Sequence, residues 1–305
     1  MTNSLTACFV GLGSIGKRHL KNLVAVCAER GISIAVDALR HAPTPLAEEI
    51  ASLIRAEYYN TAELPHYDLI FICNPSQSHY KTLCALNDKA DHFFIEKPVF
   101  TRPLSDEELR PFADEKKYYV ACPLRHTKTF AALKDFVSTH PVYSVRAICS
   151  SYLPDWRPGV DYRKLYSASK ESGGVALDLI HEFDYLFALF GFPEDSKLIA
   201  RHVSDLQIES SDVVSYAASY PDKTMELHLD YFGRATQRCC EVFSRDETIR
   251  FDFLNVAEDR NSSYVREIGW FVDFARGKQA NINSTCFANS VLKHICQWVL
   301  SNLMG

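Results

Sequence analysis

Three stretches of this sequence carry reactive residue types at spacings that chemistry can use. The first is Val10-Gly11-Leu12-Gly13-Ser14-Ile15-Gly16, a G-x-G-x-x-G set. Gly11 permits a tight turn, Gly13 lets the backbone approach a pyrophosphate, and Gly16 lets a helix pack closely on a strand. The N–H groups of a helix starting at Ser14 and Ile15 then face the phosphates, aided by the positive end of the helix dipole. The second is a helix expected from Gly173-Gly174 onward, in which Asp178, His181, Glu182 and Tyr185 fall at i, i+3, i+4 and i+7. They form one polar stripe on an otherwise apolar helix, with Asp184 at its edge. Polar groups buried in that way need partners or a cavity, and a substrate cleft accounts for them most simply. His181 is then a general base with a pKa in the useful range, with Asp178 orienting it or binding substrate. The competing reading is a structural Asp–His pair that stitches two domains together. The third stretch is the loop from Tyr152 to Lys164, where Trp156 and Tyr162 offer flat faces to a sugar. Arg157 and Arg163 in the same loop offer forks for carboxylate or phosphate, unless the loop packs on a neighbouring subunit instead. Arg234 and Arg238 add charge further on, or are ordinary exposed arginines.

These residues need elements to position them. Apolar runs over 6–10, 32–39, 68–73, 92–96 and 118–122 alternate with helical patterns over 15–29, 45–55, 78–89 and 105–115. The runs are mostly apolar rather than alternating, as in strands covered on both faces, and right-handed crossovers make them a doubly wound parallel sheet. The fold class is therefore α/β, with a Rossmann domain over 1–122 and an α+β domain over 123–305. The second domain carries a strand over 143–152 and alternating runs over 197–203, 213–220, 224–232, 238–244 and 248–253, which predict a large, mostly antiparallel open sheet. Helices are expected over 127–139, 174–190, 263–276 and 285–303. The second strand of the Rossmann domain decides between the two nicotinamide dinucleotides. Its apolar run continues through Ala38 and Leu39, which buries Asp37 inside the strand and sets Arg40 at the tip, facing the ribose. An arginine there suits a 2′-phosphate, so the sequence leans slightly to NADP within NAD(P).

The net charge of −5 is spread without a basic block, which argues against nucleic acid as a partner. No apolar run is long enough to span a bilayer, and the amino terminus lacks the features of a secretion signal, so a cytoplasmic protein is expected. The ten cysteines have no C-x-x-C spacing, which favours buried thiols over a zinc or disulfide framework.

A further set of motifs carries a resemblance. A strand ends in Glu96-Lys97-Pro98 about 80 residues after the glycine loop, and Asn74-Pro75-Ser76-Gln77-Ser78-His79 follows the strand ending at Cys73. Arg125 comes just after the strand ending at Cys122, and Asp178 and His181 follow the two glycines. Together these resemble the Gfo/Idh/MocA family of NAD(P)-dependent oxidoreductases over essentially the whole chain. The resemblance implies hydride transfer on a sugar, polyol or related hydroxy compound. It puts Lys97 beside the nicotinamide and the reacting hydroxyl, held by Glu96 and Pro98, and lays Asn74, Pro75 and His79 along the cofactor. Arg125, Trp156, Tyr162, Arg163 and Glu182 are the expected substrate-binding residues, and no metal is implied. Family members commonly space the acid and histidine four residues apart with a glycine between. Here Asp178 and His181 are three apart and Glu182 takes the fourth place, so either His181 or Glu182 is the base. That variant and the aromatic loop look like relatives in nonulosonic-acid pathways. The other readings are a non-catalytic NAD(P)-binding sensor, and an enzyme reducing a carbonyl, imine or tetrapyrrole. An open sheet face favours a homodimer or homotetramer.

Overall fold

The computed structural model describes residues 3–169, 174–254 and 258–301, with side chains up to 297. Gly173 lies outside the described residues. The chain divides into two compact units, Met1–Pro123 with Arg260–Ser290, and Leu124–Asp259 with Val291–Gly305.

The first unit contains β1 (Ser4–Val10), β2 (Ser33–Leu39), β3 (Ala56–Tyr58), β4 (Tyr67–Ile72), β5 (Ala90–Ile95) and β6 (Tyr118–Val120). All are parallel, in the order β3-β2-β1-β4-β5-β6. This is the doubly wound order in which the chain reverses direction across the sheet between β1 and β4. β3 is too short to leave an apolar run in the sequence, and its central Glu57 is exposed. The helix expected over 45–55 shrinks to Glu48–Ala51. The one over 105–115 is Asp106–Leu109 followed by a 3-10 turn, where Pro111 supplies no backbone donor.

A ladder of stacked rings runs across the sheet. Phe9 stacks on Phe71 at 4.5 Å, Phe71 on Phe94 at 5.1 Å and Phe94 on Tyr119 at 5.6 Å. Phe271, from the helix Arg260–Ala275, meets Phe71 and Phe94 edge-on at 5.4 and 5.3 Å. Such contacts add about 0.5–1.5 kcal/mol per pair beyond area burial. They explain why a helix so late in the chain returns to the first unit, which a single division at residue 123 leaves out.

The second unit contains β7 (Val142–Tyr152), β8 (Asp195–Arg201), β9 (Val213–Ser219), β10 (Thr224–Asp230), β11 (Phe232–Ser244) and β12 (Thr248–Asp252). The order is β12-β11-β7-β10-β9-β8, with β7 and β10 parallel and every other pair antiparallel. Burial alternates residue by residue along β9 and along β10 as far as Leu229, as it must in a sheet with one open face. Phe183, Leu186 and Phe187, from the helix Ile180–Phe190, lie buried in this unit, with Phe183 edge-on to Tyr216 of β9 at 5.2 Å. β11 begins six residues before the expected 238. Its first part is polar, and the register shifts between Phe232 and Gln237, which hid it from the alternation pattern.

Candidate functional site

In the first unit the glycine loop joins β1 to the helix Ser14–Glu29. Gly11 has φ +92°, and a Cβ there would lie 2.7 Å from the backbone nitrogen of Asn74. A Cβ on Gly16 would lie 2.2 Å from the carbonyl oxygen of Gly11. At Gly13 a Cβ would meet nothing within 4 Å. Two glycines are thus required by the protein itself, and the third leaves open space beside a helix start. That helix has no side-chain cap and no acidic residue in its first turn, so the N–H groups around Ser14 and Ile15 suit an anion.

The loop after β4 lies beside it. Cys73 N–H donates to the carbonyl of Val10 at 2.8 Å, and the Asn74 amide donates to Thr82 Oγ1 at 2.7 Å. The other amide atom, Oδ1, is buried without a protein partner, and turning the amide over would leave its nitrogen so instead. A buried amide end of this kind next to an open glycine loop fits a ribose or carboxamide. Pro75 starts the short turn Ser76–Ser78. His79 is 1% exposed, with Nε2 2.9 Å from the carbonyl of Asn74 and Nδ1 3.1 Å from that of Val99. It ties the Asn74 loop to the turn that follows Lys97-Pro98. Burial holds its pKa below the ordinary histidine value despite those two carbonyls.

Glu96 follows β5 directly. Its Oε1 lies 2.5 Å from His19 Nε2, and its Oε2 accepts the N–H of Lys97 at 3.0 Å. Burial pushes the carboxyl up, but the His19 contact and the Lys97 ammonium outweigh it and leave Glu96 below the usual range. His19 is fully buried and edge-on to Phe94 at 4.9 Å. The sequence reading missed it, although a histidine on the apolar face of the helix was a visible signal.

β2 ends at Leu39, as expected, so Asp37 lies inside the strand. Asp37 is fully buried and takes two bonds from Arg55, at 2.9 and 2.6 Å, and one from Tyr67 at 2.8 Å. Arg40 stands at the tip, but its guanidinium is not open. It donates to Glu57 Oε2 and to the carbonyl of Thr44. Arg40 thus holds the tip position on which the lean to NADP rests, but with its charge paired to Glu57.

In the second unit the predicted helix over 174–190 is broken. It runs Val175–Asp178, breaks at Leu179, where φ is −97° and ψ 24°, and resumes over Ile180–Phe190. The stripe is accordingly split among separate partners. Asp178 accepts from Tyr231 at 2.6 Å, and Tyr231 meets the Trp156 ring edge-on at 5.3 Å. Trp156 also donates to Ser151 Oγ at 2.9 Å. Glu182 is fully buried and takes a bond from Arg238 Nε at 2.8 Å. Burial pushes its carboxyl up, only partly offset by that guanidinium. Asp184 takes bonds from Arg125 Nε and Nη2, each at 2.8 Å. His181 is 9% exposed. Glu182 and Arg125, both expected to bind substrate, are thus held in internal ion pairs.

Tyr162 accepts from the backbone of Gln207 at 3.2 Å, and Arg163 pairs with Asp161 at 2.7 Å and Gln207 at 3.0 Å. Arg163, Lys164, Ser169, Gln207 and Glu209 line an open pocket of about 480 Å³. The structure therefore groups Asp178 with Trp156 and Tyr231, and Tyr162 with Arg163. Tyr231 was missed because nothing near Asp178 in the chain announces it.

The strand order, the glycine loop and the orphaned Asn74 atom define an NAD-binding Rossmann protein. Residues 5–122 match the family model GFO_IDH_MocA, described as "Oxidoreductase family, NAD-binding Rossmann fold". Among curated proteins, an uncharacterised oxidoreductase, YrbE, of Bacillus subtilis is 25% identical over 197 residues. That match takes in 63% of this chain and 55% of the relative, so it spans only about half of the relative's length. Among solved structures, myo-inositol 2-dehydrogenase from Lactobacillus plantarum superposes with a TM-score of 0.80 at 17% identity, covering 99% of this chain and 98% of the other. The WlbA dehydrogenase from Bordetella pertussis, in complex with NADH and UDP-GlcNAcA, gives 0.76 at 17%, covering 98% and 95%. At these identities the likeness establishes the fold of the whole chain. Among the described residues, no helix is long and apolar enough to cross a membrane.

Proposed function

We propose that this protein is an NAD(P)-dependent oxidoreductase that transfers hydride to or from a sugar, polyol or sugar-derived hydroxy compound. The observation that carries the reading is the glycine loop with open space at Gly13, next to a Glu96-Lys97 pair fixed by His19. The bound nicotinamide supplies the hydride donor or acceptor. Backbone N–H groups at Ser14 and Ile15 hold the pyrophosphate, and Asn74 offers its unpaired amide atom to the same ligand. Lys97 exchanges the proton of the reacting hydroxyl at its Nζ, with its backbone fixed by the Glu96 carboxylate. In the second unit His181 is the candidate base. Asp178, oriented by Tyr231, is its partner or a substrate ligand. Glu182 is the weaker choice for the base because it is buried against Arg238. The dehydrogenases of similar fold act on inositol, levoglucosan and UDP-linked sugars, which supports a hydroxylated ring as substrate. A place in nonulosonic-acid chemistry, a cytoplasmic setting and a homodimer or homotetramer built on the open sheet remain part of the proposal.

The test is turnover. The purified chain, with NAD and NADP, is assayed against myo-inositol, levoglucosan and UDP-N-acetylglucosamine. Reduction of the nucleotide is expected with at least one ring of this class, and Lys97→Ala should lower kcat at least a hundredfold while NADH binding persists. NADH binding without turnover on a broad hydroxyl panel, and no effect of Lys97→Ala, identifies a sensor instead and sinks the enzyme reading.

A further inference from the structure

We infer that Glu57, reaching over from β3 to Arg40, is the acid that makes this protein select NAD over NADP; this rests on the reading of the first unit as a nicotinamide dinucleotide site. Doubly wound nucleotide folds commonly select NAD with an acid at the end of the second strand, which accepts a bond from the ribose 2′-hydroxyl. This chain has an acid on β2, but Asp37 is buried and consumed by Arg55 and Tyr67. It cannot serve.

The neighbouring strand supplies the substitute. Glu57 pairs in register with Ala38, and the Arg40 backbone N–H closes on the Tyr58 carbonyl at 2.9 Å, so the ends of β2 and β3 are locked together. Glu57 Oε2 accepts from Arg40 Nη1 and from the Tyr59 hydroxyl, the latter at 2.7 Å. Arg40 Nη2 is taken by the Thr44 carbonyl. The arginine side chain is 9% exposed and the Glu57 side chain 29%. Of the two side chains, that of Glu57 is therefore the more open to solvent. The Tyr59 hydrogen bond and the Arg40 guanidinium also keep Glu57 ionised well below neutral pH.

The consequence is electrostatic. A 2′-phosphate brings close to two negative charges. Drawn to the remaining donors of Arg40, it meets a guanidinium whose charge the adjacent Glu57 carboxylate already balances. A 2′-hydroxyl brings no charge and still finds an acceptor in the carboxylate. An arginine at the strand tip, read alone, points to NADP; read with its partner it points to NAD.

The experiment titrates the full-length protein with NADH and NADPH by nucleotide fluorescence, for wild type, Glu57→Gln, Arg40→Gln and the double variant. Wild type should bind NADH at least tenfold more tightly than NADPH. Glu57→Gln should move the ratio at least tenfold toward NADPH by releasing Arg40, and adding Arg40→Gln should cancel that gain. Arg40→Gln alone should weaken NADPH no more than NADH. This arm decides the matter even if Glu57→Gln does not fold. Tighter NADPH binding by wild type, a ratio unmoved by Glu57→Gln in a folded protein, or a selective loss of NADPH in Arg40→Gln each overturns the inference. Absence of binding by either nucleotide overturns the cofactor reading itself, which is a different result from binding without discrimination.

Discussion

The glycine loop of the first unit and the helical segment Val175–Phe190 of the second were both expected to be sites, and they are built by opposite means. The loop is made of backbone. Gly11 and Gly16 are fixed by contacts within a few residues of the motif or with the adjoining strand end, and what they leave open, at Gly13, is space and N–H groups. The helical segment is made of side chains whose partners come from far along the chain. Asp178 finds Tyr231, Glu182 finds Arg238 and Asp184 finds Arg125. A site built from backbone constraints faces outward, whereas ionisable side chains on a helix packed in the core are first claimed by the protein.

The largest test of that contrast lies within the loop itself. Gly16→Ala drives a Cβ into the Gly11 carbonyl oxygen, 2.2 Å away, and neither partner is a flexible side chain. It should cost about 3 kcal/mol or more in stability. Gly13→Ala meets nothing within 4 Å and should cost about 1 kcal/mol at most, mainly through a poorer helix cap, while lowering NADH affinity tenfold or more. Thermal unfolding and fluorescence titration read the two effects separately. A Gly16→Ala protein as stable as wild type would remove the distinction between the glycines that hold the turn and the one that faces a ligand.

The same contrast explains what was legible in the sequence. That β1, β2, β4, β5 and β6 form a doubly wound parallel sheet followed from apolar runs and crossover handedness. The loop followed from three glycines whose roles are local. β3 escaped because three residues make no pattern, and with it went Glu57, the partner that changes the meaning of Arg40. In the helical segment the periodicity correctly set Asp178, His181 and Glu182 in one buried stretch. It did not reveal the break at Leu179, which no proline or glycine marks. Nor does spacing name a partner more than fifty residues away, as Tyr231 is from Asp178. The late return of Arg260–Ala275 to the first unit was hidden for the same reason, since its ring contacts are with β4, β5 and β6.

The second test asks whether the helical segment is held as tightly as its pairing implies. Glu182 is fully buried and Arg238 lies against it, so Glu182→Ala leaves a guanidinium facing a cavity. Removing one partner of a buried pair costs about 3–5 kcal/mol. Glu182→Gln should cost much less, because the amide oxygen still accepts from Arg238 and the buried negative charge is gone. Chemical denaturation of the three proteins measures this. If Glu182→Ala unfolds at the wild-type midpoint but loses substrate affinity, the residue belongs to a cleft and the contrast fails on this side.

The smallest effect concerns His294, on the helix Thr285–Ser301, which belongs with the second unit at that point. Its Nε2 lies 2.8 Å from the Tyr216 hydroxyl and 3.2 Å from Ser196 Oγ, and its ring meets Phe187 edge-on at 4.9 Å. Burial holds its pKa below the ordinary histidine value, so the folded protein resists protonation there and the unfolded chain does not. Below about pH 6.5 the unfolded state then binds more protons, and stability falls as pH falls. Above that pH both states are neutral at this residue and the slope vanishes. Comparing denaturation midpoints at pH 7.5 and 5.5 should therefore give a smaller drop for His294→Gln than for wild type, with other titrating groups common to both. Equal drops would mean that this ring reaches solvent in the folded state. The inward claim on polar side chains would then stop at the helix Ile180–Phe190 and not extend across the sheet it packs on.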